Sequence, residues 1–138
     1  IKKNKFYEEL RQKTHFEKDP RIKFVGTVYD AELLKYIREN ALAYLHGHSV
    51  GGTNPSLLEA LGSTDLNLLL DVGFNKEVGK NGALYWSKET GDLKKLLESV
   101  VKLENDARAS LAKKAKERIK KQYSWDKIVF EYENLFTK

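Results

Sequence analysis

Short apolar runs alternating with helix-length amphipathic segments constrain this chain more than any other feature. Ala41 to Leu45 is continuously apolar, Asn67 to Asp71 carries three consecutive leucines, and a further short run lies near Ala83 to Trp86. Strands covered on both faces lose the polar alternation of half-exposed strands and read as such runs. Pro55 to Leu61 intervenes as a helix. Strand and helix taking turns predicts an α/β fold: a Rossmann-like parallel sheet with helices on both faces, and ligands bound just outside the carboxyl ends of the strands.

The pattern extends in both directions. Asn4 to Phe16 reads as a helix ending toward Asp19-Pro20, a breaker pair. In Arg21 to Val28, Ile22, Phe24, Gly26 and Val28 alternate with the residues between them, which predicts a strand. Asp30 is placed to cap a helix whose apolar face holds Leu33, Leu34 and Ile37. After Trp86 the chain reads as a helical C-terminal region. Leu93 to Leu103 marks one helix, Leu111, Ala115 and Ile119 a second, and Trp125 to Phe136 a third begun by Ser124. A length of 138 residues fits one domain, so 1–138 is read as a single unit. The opening Ile1-Lys2-Lys3 and the absence of methionine lead us to expect a piece of a longer chain.

Composition removes several function classes. With no cysteine there are no disulfides and no thiolate metal sites. No apolar run approaches the roughly 18 residues of a membrane span, so a cytoplasmic setting is expected. The net charge of +5 is concentrated between Lys113 and Lys121, where lysines surround the Leu111, Ala115, Ile119 stripe. No aromatic residue interleaves with them, which favours a solvated helix over a nucleic-acid groove. Peripheral contact with an anionic membrane surface stays open.

The segment richest in chemistry is His46-Gly47-His48-Ser49-Val50-Gly51-Gly52-Thr53-Asn54-Pro55-Ser56. Asn54 suits an N-cap and Pro55 the first helical position, while the glycine pair clears side chains where the backbone turns. Free amides at such a helix start suit a phosphate or diphosphate, although a plain strand-to-helix turn has the same residues. Glu59, among Leu57, Leu58, Ala60 and Leu61, is expected to approach the core and to need partners. Those are the hydroxyls of a sugar or, alternatively, a lysine or arginine. His46 and His48 share one side of an extended segment and could ligate a metal, but only His15 remains as a third imidazole. Hydrogen bonding is therefore expected of them, and no metal or cofactor.

At this point the sequence resembles the retaining glycosyltransferases of the GT-B type, the group that includes capsule and exopolysaccharide hexosyl- and rhamnosyltransferases. The likeness rests on Ile22 to Val28, Ala41 to Leu45, the P-x-x-E-A helix from Pro55, the loop Asp71 to Val78, Gly82 to Trp86 and Tyr123-Ser124-Trp125. It implies the C-terminal, donor-binding half of a two-domain enzyme, truncated at its N-terminus. In that reading Gly51, Gly52, Thr53, Asn54 and Ser56 hold the diphosphate of a nucleotide sugar and Glu59 binds the ribose. Val28 and Tyr29 border the base, and Gly73, Phe74 and Asn75 line the donor pocket. The acceptor, a glycan or lipid-linked glycan at the inner face of the membrane, meets the other domain, so this piece alone is expected to be inactive. The sequence departs from the family at the first of its two glutamates. Gly51 stands at that position and no acidic residue lies between Glu39 and Glu59, leaving His48 and Ser49 as candidates for the comparable space. A nucleotide-sugar epimerase of the same architecture and a non-catalytic nucleotide- or glycan-binding module remain as alternatives.

Overall fold

The computed structural model describes residues 4–137. The chain separates into two compact units, Ile1–Leu34 and Lys35–Lys138, each treated by itself below; the expected single unit over 1–138 comprises both.

In the first unit, α1 (Lys5–Thr14) starts where the Asn4 side chain accepts the Tyr7 amide at 2.8 Å, and His15 closes it in the left-handed conformation. Phe16 packs edge-on against Tyr7 and lies 5.2 Å from the ring of Phe24. The strand expected over Arg21 to Val28 does not form. Gly26 has φ +73, outside the extended region, and the segment joins no ladder. Alternating residue types describe a strand only if the backbone stays extended and finds a partner. Ile22, Phe24 and Val25 are correspondingly exposed. Helix α2 (Ala31–Asn40) begins as expected, with Asp30 accepting the Leu33 amide at 3.0 Å.

The second unit is a mixed α/β structure around a parallel sheet in the order β1 (Tyr44–His46), β2 (Asn67–Leu70), β3 (Leu84–Trp86). The strand expected at Ala41 to Leu45 lies further along the chain. It is the edge of the sheet, so Leu45 is half-exposed and β1 is not covered on both faces. The central strand β2 is buried at every position, as its three leucines require.

Successive β2 residues point to opposite faces and define two cores. Leu69 joins Leu57 and Leu61 of α3 (Pro55–Ser63), Val78 of α4 (Gly73–Gly79) and Ala115 of α6 (Asn105–Gln122). Leu68 joins Leu66 and Val100, the latter from α5 (Asp92–Val101), together with Leu96, Leu103 and Leu111. Helices therefore cover both faces. Both connections that rejoin the sheet, through α3 and α4, lie on one side, and α5 follows β3 to the other. Gly82, in the turn before β3, has no room for a methyl: a Cβ there would lie 2.7 Å from the Ala115 nitrogen and Cα. That close approach seats α6 against the sheet layer. The last helix, α7 (Trp125–Phe136), is capped by Ser124 as expected, and leaves Trp125, Phe130, Leu135 and Phe136 exposed.

Candidate functional site

Parallel strands deliver their following loops to one edge of the sheet. There the chain after β1 runs from Gly47 to Asn54, that after β2 through Asp71 and Val72, and that after β3 through Ser87. The structure brings His48, Ser49, Gly51, Gly52, Thr53 and Asn54 together in the first of these loops. Gly51 adopts φ +127, accessible to glycine, and a Cβ at Gly51 or Gly52 would meet nothing within 4 Å. Val28 and Tyr29 belong to the first unit, and Tyr29 is exposed.

The start of α3 differs from expectation. Asn54 is the N-cap, and its side-chain oxygen accepts the Ser56 amide at 2.9 Å. Its carbonyl accepts from Leu57 and Leu58, and Pro55 has no N–H. The helix start is thus closed by its own cap, because the contact that specifies the terminus is the one an anion would take. The donors that remain lie one step upstream. Among the described residues, the amides of Gly51, Gly52, Thr53 and Asn54 have no protein acceptor.

Glu59 also differs. Its side chain is 57% exposed, and its Oε2 lies 2.6 Å from Nη1 of Arg38, whose own side chain is only 13% exposed. The outward step of α3 between Leu58 and Ala60 accounts for this: a helix turns about 100° per residue, and the apolar face is filled by Leu57, Ala60 and Leu61. Glu59 is an ion-pair partner here and lies outside the cavity formed by the loop after β1.

Asn75 is buried and sits within α4, where the sequence suggested a loop. Its Nδ2 donates to the Leu70 carbonyl at 2.9 Å and to the His48 carbonyl at 3.1 Å, tying the end of β2 to the loop after β1. Gly73 is exposed and Phe74 half-buried beside it. Asp71 and Glu77 pair with Lys76 and Lys80.

His46 and His48 do share a side, their rings stacked at 4.7 Å and 19°. His46 is 1% exposed and its Nδ1 lies 3.2 Å from the Tyr44 hydroxyl. Burial, reinforced by the neighbouring His48, holds its pKa below the usual histidine value. A cavity of about 560 Å3 is lined by Tyr44 to Val50. Tyr44 escaped sequence reasoning although the signal was present, since residues 44, 46 and 48 have the parity of one strand face. Arg38 had no comparable signal. No three His, Asp or Glu side chains converge among the described residues in a way that could hold a metal.

The basic segment forms a separate groove of about 710 Å3 beside Lys80, Lys114, Arg118 and Lys121. Several of the basic groups here have partners within the chain. Arg118 donates to the Val78 carbonyl at 2.7 Å, Lys80 pairs with Glu77, Lys116 with Asp65 and Lys121 with Glu117. Nearby, burial pushes the Tyr85 phenol up to about 12, and its hydroxyl donates to the Lys80 carbonyl. No helix among the described residues is long and apolar enough to cross a membrane.

No family model matches this chain, and neither a characterised protein nor a solved structure is similar to it.

Proposed function

We propose that this chain is the nucleotide-sugar-binding part of a retaining glycosyltransferase of the GT-B type, with a Rossmann-like sheet. Its whole protein would move a sugar, rhamnose being our first candidate, from a nucleotide diphosphate sugar to a glycan or lipid-linked acceptor. The work would take place at the cytoplasmic face of a membrane, in cell-surface polysaccharide synthesis. The observation that carries this reading is the set of unpartnered amides from Gly51 to Asn54 at the carboxyl edge of a parallel sheet. Successive backbone N–H groups in a glycine-containing turn make a concavity suited to phosphate oxygens, and stabilise the charge that builds on a departing diphosphate. The motifs from Pro55 to Glu59 and from Asp71 to Trp86 supply the family assignment.

A non-catalytic nucleotide-binding module is the second reading, favoured by the absence of an acid at Gly51 and by the Glu59–Arg38 pair. Titration calorimetry with uridine and thymidine diphosphates separates the outcomes. Binding that perturbs the Gly51 to Asn54 amides in NMR spectra supports a donor site, and turnover of a nucleotide sugar by the full-length protein with an acceptor then distinguishes transferase from module or epimerase. Absence of any response at those amides ends the proposal.

A further inference from the structure

Three rings, Tyr44 and His46 of β1 and His48 of the loop after it, lie in a row. The Tyr44 and His46 rings are 5.8 Å apart at 31°, and His46 and His48 follow at 4.7 Å and 19°. The stack is fixed at both ends. Tyr44 reaches His46 Nδ1 with its hydroxyl, and the His48 backbone is held by the Asn75 amide. Only the outer ring is exposed, on the cavity wall beside Ser49 and Val50 and a few residues before the unpartnered amides. The inner ring is buried, and its Nε2 has no partner among the described residues.

We propose that His48 is the side chain that meets the phosphate oxygens of the ligand, and that Tyr44 and His46 are positioning residues that fix its ring. The inference rests on the diphosphate reading above. Two stacked imidazoles tolerate one positive charge better than two. Burial disfavours charge on His46, so the ring that a ligand can meet is the exposed one. In the tautomer in which the Tyr44 phenol donates to Nδ1, the remaining proton of neutral His46 sits on Nε2, and the hydroxyl then fixes tautomer and orientation together. Arg38 and Glu59 act on Tyr44 and are paired with each other.

The test uses this chain, with inorganic pyrophosphate and uridine diphosphate as probes. In the wild-type protein, nitrogen-15 spectra of the rings should show His46 as the Nε2–H tautomer, and pyrophosphate should shift the His48 ring signals. His48→Ala should weaken pyrophosphate binding about three- to tenfold, as expected for loss of one hydrogen bond. Tyr44→Phe should weaken pyrophosphate binding about three- to tenfold, as expected for loss of one hydrogen bond, with an unchanged amide spectrum elsewhere. Failure of pyrophosphate to move the His48 ring, or an Nδ1–H tautomer at His46, overturns the inference without any variant. Should uridine diphosphate perturb the Gly51 to Asn54 amides while His48 stays silent, the donor-site reading stands and this one falls. A His48 response to pyrophosphate with none to the nucleotide has the opposite meaning. If neither probe perturbs the loop, both fall.

Discussion

The loop after β1 and the groove along α6 each line a cavity of the second unit, and they differ in what their polar groups have left to do. Four basic side chains line the groove, yet Arg118 is spent on the carbonyls of Glu77 and Val78, Lys80 pairs with Glu77 and Lys121 with Glu117. The loop carries almost no formal charge but keeps unpartnered amides from Gly51 to Asn54 and an unpartnered buried nitrogen on His46. Charge density is therefore a poor guide to a ligand site in this molecule. Groups without internal partners are a better one: a ligand can recover the cost of the buried His46 nitrogen, and the exposed amides can exchange water for the oxygens of an anion.

The contrast can be broken most forcefully with two glycine substitutions. Gly82→Ala forces a methyl against the α6 backbone and should destabilise the unit by about 1–3 kcal/mol in urea denaturation. Gly52→Ala enters open space and should change stability by less than about 0.5 kcal/mol while weakening binding of nucleoside diphosphates. Equal destabilisation by both would erase the distinction between a packing region and a ligand region.

Asn75→Ala sharpens the boundary between them. It leaves the Leu70 and His48 carbonyls without their shared donor and should cost about 1–3 kcal/mol. Its effect should also reach the His48 ring signals, which a purely local loss would leave in place.

Acid is the next lever. His46 is lowered in the folded state, so the unfolded chain takes up its proton first. The stability linked to it is complete above the ordinary value of 6.5 and is lost as pH falls from there toward the lowered folded value. Thermal melts from pH 8 to pH 5 should show this decline, and His46→Phe should flatten it. A parallel decline in both proteins would assign it to other groups.

The smallest effect belongs to Glu59→Ala. Removing its carboxylate leaves the Arg38 guanidinium, only 13% exposed, without its partner, and because the Glu59 end of the pair is open to water the cost should be about 1 kcal/mol. Calorimetry then decides its role: unchanged nucleotide affinity makes Glu59 an ion-pair partner only, and weakened affinity restores it to the ribose.

Much of the layered architecture was legible because it follows from local chemistry. The leucines of β2, the apolar stripe of α6 and the caps at Asp30, Asn54 and Ser124 each announce one element. What escaped depended on conformation or on distant partners. Gly26 is innocuous in an alternating run until its φ is known. Asn75 looks like a loop residue because nothing adjacent reveals that it will bridge carbonyls from two segments. At Asn54 the inference itself contained a conflict, since the better a residue caps a helix, the fewer amides it leaves for an anion. Of the residues expected to hold a diphosphate, Ser56 gives its amide to the Asn54 side chain, whereas the amides of Gly51 to Asn54 keep no acceptor among the described residues.

The orientation of one carboxamide has a further consequence. Hydrolysis of Asn75 to aspartate would preserve size and shape while turning the nitrogen that attracts the Leu70 and His48 carbonyls into an oxygen that repels them both. Such a change would leave the outline of the protein as it is while removing the tie that Asn75 makes between the histidine loop and the end of β2.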